Sequence, residues 1–322
     1  MPFPSLATIP GMLAIIIREE RQRARYPGQA VVHIGERLGR RALGLPARVH
    51  PPGRVPPVRM KRDNPALAAT AREIFEFVRP MQAEGVPMVR KGKDHDGGYV
   101  MLDAGLHDAI AYSLGISNDV SWDMDMAALG CHIFQYDHTI PGLPSEHPNF
   151  HFFRQGIAPT DSEDGVFASL TSLIHRNGHD GRTDLVLKMD IEDSEWDVLS
   201  ALPEATLGQF SQIAVEFHLL LQTDQPDRRA KVLRTLSHLN NTHQAVHVHA
   251  NKYGALGLIS GVTLPDTLEI TYVRRTDHRF VKTAQRFPTP LDMPNNPAVF
   301  DFDLGALGRD GAPMGARLAP PV

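Results

Sequence analysis

The chain has 322 residues, 42% of them hydrophobic, and a formal net charge of −4. This length suits one large α/β domain with extensions or two ordinary domains, and the composition is that of a globular protein. The lone Cys131 excludes an internal disulfide and fits a reducing compartment. Because no stretch reaches roughly eighteen consecutive apolar residues, we predict a soluble, cytoplasmic protein without a transmembrane segment.

The charge is distributed unevenly along the chain. Residues 1–62 contain twelve Lys or Arg and three Asp or Glu, so the remainder carries a net −13. A basic arm can bind nucleic acid or an anionic membrane, but Tyr26 is the only aromatic residue interleaved with these arginines, and we do not expect a nucleic-acid partner. The apolar segment 12–17 predicts a short amphipathic helix that docks on the body or on a partner. A homo-oligomer formed through the arm is therefore one alternative.

Composition also divides the chain into parts. Residues 44–57 are rich in proline and glycine and predict a linker. We therefore predict a basic N-terminal arm with its linker at 1–62 and a folded domain at 63–284. The segment 285–322 lacks periodicity and is predicted to be an extended C-terminal tail.

The folded domain combines helical and strand patterns. Apolar residues recur at helical spacing between Pro65 and Glu84 and predict a helix. Five apolar segments separated by helix-length gaps predict βαβ units, which build a doubly wound parallel sheet. Two more strands follow a helical stretch at 227–240, and the short loop between them predicts a hairpin-like reversal. The predicted strands are 109–115, 131–137, 150–157, 184–191, 212–219, 245–253 and 266–275.

The residues that end the first three strands are the first candidates for a site, since ligands of open parallel sheets lie outside the carboxyl ends of the strands. Gly115 permits a tight turn whose amides can face a ligand. Asp137 follows about twenty residues later, the spacing of an acid that binds the ribose of an adenosine-type cofactor. A solvated Asp without a ligand is the alternative. The candidate cofactor contacts are Gly115, Ile116, Ser117, Asp137, Gly156 and Ile157, of which the last two could flank an adenine ring.

Carboxylates and histidines follow the next three strands. Side chains two apart on a strand share a face, so three pairs could line one cleft. A purely structural role is the alternative for each histidine taken singly, but the coincidence of all three pairs at one edge favours a site. The pairs are Asp190 with Glu192, Glu216 with His218, and His247 with His249.

The order of several motifs resembles a known enzyme family. "DGGYV" is followed by "AYSLGISNDVSWDMDMAALGCHIFQYD", "LVLKMDIEDSEWDVL", "QIAVEFH" and "HVHANKYG…LPDTLEITYVRR". Over roughly residues 86–275 this resembles the FkbM-like class I methyltransferases, and within them the methyltransferase-like subgroup with the "DGGYV" element. The resemblance implies a Rossmann-like sheet of seven strands with the last strand antiparallel, S-adenosylmethionine as cofactor, and action on hydroxyl groups of sugars or other small molecules. It also implies cofactor contacts at Tyr99 and Asp190.

Two positions depart from the pattern of that family. The usual "DxEGxEW" is "DIEDSEW" here, so Asp193 replaces a glycine, and the usual "HANN" is "HANK", with Lys252 in the last place. We expect the first change to perturb the turn after the fourth strand. The second is expected to alter substrate contacts.

The chemistry of methyl transfer assigns roles to the polar residues. Direct displacement requires the acceptor oxygen in line with the methyl group and a group that removes its proton. His218 and His249 are the candidate bases because imidazole titrates near neutral pH, and Glu216 is the candidate orienting carboxylate. Asp190, Glu216 and His218 could instead hold a divalent metal that orients a diol.

Two other functions compete with the methyltransferase hypothesis. A nicotinamide-dependent oxidoreductase would also use an acid after a glycine turn, but the turn lacks the second and third glycines of a dinucleotide site. A cofactor-binding regulator or scaffold without turnover is the alternative outside the enzymes, and the loss of glycine at Asp193 favours it. The expected partner of the enzyme is a small molecule with a hydroxyl group.

Overall fold

The computed structural model describes residues 58–297, 301–308 and 317–318. The predicted apolar helix at 12–17 and the linker at 44–57, together with the oligomer contact predicted for the arm, lie outside the described residues. Residues 58–62, the end of the predicted arm, are described and form a strand. In the described part of the chain, no helix is both long and apolar enough to cross a membrane.

Short helices and many strands alternate along the described chain. The helices are α1 (Pro65–Phe77), α2 (Ser121–Ala127), α3 (Leu170–Arg176), α4 (Glu195–Ala201), α5 (Glu204–Leu207) and α6 (Pro226–Thr242), with a 3₁₀ turn at Leu220–Asp224. The strands are β1 (Val58–Arg62), β2 (Met81–Ala83), β3 (Met88–Lys91), β4 (Tyr99–Leu102), β5 (Ile110–Leu114), β6 (His132–Tyr136), β7 (Phe150–Phe153), β8 (Gly156–Ile157), β9 (Phe167–Ala168), β10 (Leu185–Met189), β11 (Phe210–Phe217), β12 (His243–Ala250), β13 (Leu256–Ile259), β14 (Val262–Pro265), β15 (Leu268–Arg274), β16 (Phe280–Lys282), β17 (Phe302–Asp303) and β18 (Arg317–Leu318).

Seven strands form the central sheet, in the order β12–β15–β11–β10–β5–β6–β7. The last strand, β15, runs antiparallel to both of its neighbours, and the other neighbouring pairs are parallel. This confirms the α/β class, the seven predicted strands and the reversed direction of the last one.

Both faces of this sheet are covered. On β5, Ala111 packs in a cluster with Trp122 of α2, whereas Tyr112 belongs to the larger cluster that includes residues of α1, α3, α4 and α6. β10 is buried along its whole length, which is typical of a central parallel strand covered on two sides. The carboxyl ends of the parallel strands lie at one edge of this sheet, and packed helices cover both of its faces.

Some boundaries differ from the sequence predictions. The helix predicted from Pro65 to Glu84 ends at Phe77, because Pro80 disfavours helical geometry in the residue before it, and Met81–Ala83 instead pairs with β16. The third predicted strand stops at Phe153, and Gly156–Ile157 pairs separately with β9.

The connection between β12 and β15 is also more than the short loop that we predicted. It contains the hairpin β13–β14, and β1 pairs in parallel with β13 to give a separate three-stranded sheet. The segment after Ala284 packs on the body, because Phe287, Phe302, Leu304 and Leu307 are all buried in the main core cluster.

Candidate functional site

The sheet register places the predicted site residues in one row. Leu114 is paired with Tyr136 on one side and with Met189 on the other, and Met189 is paired with Val215. The next residues of these four strands are Gly115, Asp137, Asp190 and Glu216. The row continues across the antiparallel strand, because Glu216 lies opposite Glu269 and Glu269 lies opposite His249.

The turn after β5 requires a glycine. Gly115 has φ +78°, and a Cβ at this position would lie 1.7 Å from the carbonyl oxygen of Asp190. Its amide donates to Tyr136 O at 3.0 Å, and its carbonyl accepts a hydrogen bond from the buried Lys188 amine. The predicted tight turn is therefore present, and its backbone contacts both β6 and the end of β10.

Asp137 holds this turn from the neighbouring strand. Its Oδ2 accepts from the amides of Ile116 and Ser117 at 2.9 and 2.8 Å, and its Oδ1 accepts from the amide and hydroxyl of Thr139 at 2.8 and 2.6 Å. Burial alone would raise the pKa of the Asp137 carboxyl, but these hydrogen bonds hold it below its usual range. A carboxylate offers about four lone-pair sites, so ribose hydroxyls would have to replace existing partners.

The other predicted cofactor residues lie in different surroundings. Ile157 is buried in the main core cluster, and Gly156 packs against the Phe167 ring and the His138 imidazole. Tyr99 starts β4 and is only 4% exposed, with the Lys188 amine 5.9 Å from its ring centroid. Ile157 therefore faces the core, and an adenine contact from it stays a prediction that this packing does not favour.

His218 is surrounded by carboxylates. Its Nδ1 lies 3.2 Å from Glu195 Oε1, and its Nε2 lies 3.2 Å from Glu216 Oε1 and 3.8 Å from Asp190 Oδ1. Burial lowers the pKa of this imidazole, but the hydrogen bonds to Glu195 and Glu216 outweigh burial and raise the pKa to about 12. The surrounding carboxylates therefore favour the protonated form of His218. Burial and the negative charge of Asp190 raise the pKa of Glu216 to about 8.

Asp190 differs from the carboxylates around it. Its side chain is 31% exposed, and its carboxylate oxygens make no hydrogen bond to any residue of the described chain. Glu216 Oε1, by contrast, accepts from Asn251 at 2.9 Å. Asp190 is therefore a partly exposed carboxylate at this edge whose oxygens are open to a ligand.

The buried Glu195 shapes the turn between β10 and α4. Its two carboxylate oxygens accept from the amides of Ile191 and Asp193 at 2.7 and 3.0 Å. Both Glu192 and Asp193 have positive φ angles, +57° and +89°. Asp193 also pairs with Arg228. The turn thus has the conformation that favours glycine although glycine is absent. The perturbation of this turn by Asp193 stays a prediction.

His249 is enclosed more completely than His218. It is 2% exposed, with Nδ1 2.9 Å from Glu269 Oε2 and Nε2 2.9 Å from Asp301 Oδ2. Burial opposes protonation, yet these two carboxylates raise the pKa of His249 well above its usual range. Neither ring nitrogen is open to a substrate. A role as general base stays a prediction that this geometry does not favour.

The C-terminal segment supplies residues that the strand patterns did not indicate. Asp292 contacts the buried His247 at 2.8 Å, and Asp301 contacts His249. Asn295 donates to Glu269 Oε1 and, at 3.3 Å, to Asp96 Oδ1. His247 is thus held by this segment. Asp96 lies in the "DGGYV" element and Glu269 lies on the apolar strand β15. These positions are the features of the sequence that could have indicated the two residues.

Several of the predicted residues come together in the structure. The ligand atoms of Asp190, Glu216 and His218 lie within 4.8 Å of one another, as do those of Asp96, Glu216 and Glu269. His249 reaches this group only through Glu269. Gly156 and Ile157 lie beyond the other end of the row.

Comparisons with known proteins add nothing to this geometry. Neither protein-family models nor curated protein sequences gave a match to the chain. The resemblance to FkbM-like methyltransferases therefore depends on the motifs in the sequence.

Proposed function

We propose that the chain is an S-adenosylmethionine-dependent methyltransferase that methylates a hydroxyl group of a small molecule, such as a sugar. The observation that carries this proposal is the register of the sheet, which aligns Gly115, Asp137, Asp190 and Glu216 at one edge. The seven strands with an antiparallel last strand are the arrangement that the sequence resemblance implies.

The cofactor is assigned to the edge between β5 and β10. When bound, S-adenosylmethionine would supply an activated methyl group for transfer to the acceptor oxygen. The chain contributes a negatively charged edge, in which Asp190 is the carboxylate with free oxygens next to the Gly115 turn. Such a carboxylate stabilises a cationic group nearby.

Asp190 is also the best candidate for the general base. A base needs an open lone pair within hydrogen-bond reach of the proton that it accepts, and the carboxylate of Asp190 has one. The His218 imidazolium, 3.8 Å from Asp190 Oδ1, holds the carboxylate in place by its charge. The proton of the acceptor hydroxyl then passes to Asp190. His218 is a positioning residue in this scheme, and Glu195 orients it.

A second candidate function is cofactor-linked regulation without turnover. The observation that favours it is that the polar groups of the turn after β5 already have partners. Asp137 accepts hydrogen bonds from the amides of Ile116 and Ser117, and the Lys188 amine donates one to the Gly115 carbonyl. Few polar groups at this turn are free for a nucleoside. In this case the protein would bind cofactor weakly or bind a different ligand, and it would not transfer a methyl group.

Calorimetry with S-adenosylhomocysteine on the full chain tests the cofactor assignment. We expect saturable binding at one site per chain, and absence of binding would reject the methyltransferase proposal. Methyl transfer is then measured from labelled S-adenosylmethionine to a panel of sugars and other polyols. Cofactor binding without transfer to any of them favours the regulatory function.

A variant tests the proposed role of Asp190 as general base. Asp190→Asn should lower turnover by about a hundredfold or more, as expected for loss of a general base. Asp184→Asn is the matched control, because Asp184 precedes the other end of β10 and pairs only with the exposed Arg182. Equal activity of the Asp190 variant and the wild-type chain would remove Asp190 from the role of base.

A further inference from the structure

A loop of the C-terminal segment contacts the site edge between two apolar anchors. Phe287 precedes the loop, and Phe302, Leu304 and Leu307 follow it, all buried in the main core cluster. Between these anchors, residues 288–297 contact β12 and β15 at the edge that carries the candidate site. Burial of apolar surface is the main force that holds a segment in place, so the two flanks are fixed independently of the loop between them.

The side chains that attach this loop are polar. Within residues 288–297 the buried side chains are those of Asp292 and Asn295, and the other residues are partly or fully exposed. Segments with few buried apolar contacts open locally at a lower free energy than the core. Four prolines stiffen the backbone of the loop, since each fixes φ, and these are Pro288, Pro290, Pro294 and Pro297.

Asp292 makes the first attachment. Its Oδ1 lies 2.8 Å from His247 Nε2, and its Oδ2 accepts from the amide and hydroxyl of Thr289 at 2.6 and 2.9 Å. Burial opposes ionisation of this carboxyl, but the charge of His247 lowers its pKa. Hydrogen bonds to an ionised group are stronger than neutral ones. Asp292 thus ties the loop to β12 and fixes the turn of the loop itself.

Asn295 makes the second attachment, directly on the site edge. Its Nδ2 donates to Glu269 Oε1 and, at 3.3 Å, to Asp96 Oδ1. Glu269 is 6% exposed and lies directly opposite Glu216 in the sheet. The Asn295 amide therefore covers the carboxylate that follows Glu216 in the row of site residues. A hydroxyl or ammonium group of a ligand can reach this Glu269 oxygen only when Asn295 leaves it.

We propose that residues 288–297 form a lid that controls access to Glu269 and the adjoining site edge, and that Asp292 and Asn295 hold the lid closed. The lid opens by local release of these two contacts while Phe287 and Phe302 stay packed. Opening requires no cofactor, so the lid is independent of the methyltransferase proposal.

Proteolysis of the native full chain by thermolysin tests the opening. This protease cleaves before large apolar residues, and the lid offers the bonds that precede Leu291 and Met293. We expect cleavage there at a rate that urea below the unfolding transition leaves nearly unchanged, because local opening exposes little surface. Asp292→Asn and Asn295→Ala should each be cleaved at least about fivefold faster, as expected for loss of a hydrogen bond. The control Asp94→Ala changes an exposed carboxylate near the lid and should be cleaved as the wild type is.

Chemical labelling of carboxylates tests whether the lid covers the site edge. A water-soluble carbodiimide with an added amine labels accessible carboxylates, which are then counted by mass spectrometry. Asp292→Asn releases the lid at the attachment that does not involve Glu269, and it should raise the labelling rate of Glu269 at least about fivefold. Glu84, whose side chain is 53% exposed, should be labelled equally in both chains.

Each outcome supports or overturns the lid. Cleavage before Leu291 and Met293 only in urea that unfolds the whole chain overturns it, as does equal cleavage of the wild type and both variants. Faster cleavage of Asp292→Asn with unchanged labelling of Glu269 would show that the loop moves without exposing the edge, which also overturns the proposal. Faster cleavage with faster labelling supports it. If urea unfolding shows that Asp292→Asn destabilises the whole chain, Asn295→Ala and the urea dependence of the wild type decide.

Discussion

The backbones of Gly115 and Asp190 touch at the carboxyl ends of two adjacent parallel strands. The Asp190 amide donates to Leu114 O at 3.0 Å, and a Cβ on residue 115 would lie 1.7 Å from the Asp190 carbonyl oxygen. The turn that follows β5 and the carboxylate that follows β10 are therefore fixed relative to each other by direct contact. Any side chain at residue 115 would displace the proposed base.

Gly115→Ala should lower the free energy of unfolding by more than about 1 kcal/mol, because alanine at a position with positive φ destabilises a protein by more than it stabilises one at a compatible position. Gly85→Ala is the matched control, because Gly85 has almost the same φ, +75°, and a Cβ added there would meet no atom within 4 Å. The difference between the two variants in urea unfolding isolates the contact with Asp190. Equal losses would show that the strand ends have room to separate.

The hydrogen bonds of Asp137 predict a structural effect without any cofactor. In Asp137→Asn the amide nitrogen cannot accept, so amide or hydroxyl donors of Ser117, Ile116 or Thr139 lose their partner. We expect urea unfolding of the cofactor-free chain to show a loss of about 1–3 kcal/mol. Thr139→Ala removes one neutral hydrogen bond and should cost about 1 kcal/mol. An Asn variant as stable as the wild type would mean that the carboxylate is available for ribose.

Asp193 has φ +89° at a position where the resembled family has glycine. Replacement by either Gly or Ala removes the carboxylate that pairs with Arg228, so comparison of the two variants cancels that loss. Asp193→Gly should be more stable than Asp193→Ala by about 1 kcal/mol or more, because left-handed backbone costs of order 1–3 kcal/mol for residues with a Cβ. Thermal unfolding of both variants at equal concentration measures it, and the reverse order would contradict the proposed strain.

The sheet could be predicted from the sequence because buried parallel strands are continuous apolar runs, as in β10, and because helix-length gaps indicate crossovers. The carboxyl ends of parallel strands share one edge of the sheet, so Asp190, Glu216 and His218 were correctly expected to lie together. The hairpin β13–β14 was missed because glycine and proline around it resemble loop residues.

The partners of the histidines could not be predicted. Asp292, Asn295 and Asp301 lie in a segment without periodicity, and only tertiary packing of Phe287 and Phe302 brings that segment to the sheet edge. The protonation states of the histidines could not be predicted from the sequence either. An imidazole held between two carboxylates, as His249 is, titrates far from the value that makes a free histidine a base.

Lys252 is a buried amine without a hydrogen-bond partner. The residue is 5% exposed, its Nζ makes no hydrogen bond within the described chain, and it lies 3.7 Å from the centroid of the Phe302 ring. Burial lowers the pKa of Lys252 from 10.5 to about 8, although the charge of Asp301 opposes the shift. The folded state therefore carries a penalty whenever the amine is protonated.

Lys252→Met should raise the free energy of unfolding by about 1–3 kcal/mol near neutral pH, because it removes a buried, unpaired donor. Below the folded pKa of about 8 the amine is protonated in both states, so the penalty is complete. Between about 8 and 10.5 the unfolded chain binds more protons than the folded one, so wild-type stability rises with pH. The advantage of the variant should shrink over that window.

Urea unfolding of both chains below and above pH 8 measures this change. Lys231→Met is the control, since Lys231 is a partly exposed partner of Asp197. A surface ion pair of this kind contributes about 0–1 kcal/mol to stability, so the control should differ little from the wild type. A Lys252 variant that is less stable than the wild type near neutral pH would show that the contact with Phe302 outweighs burial of the charge. An advantage that stays constant up to pH 10 would show that the amine stays protonated in the folded chain over this window, so that its pKa is not lowered by burial.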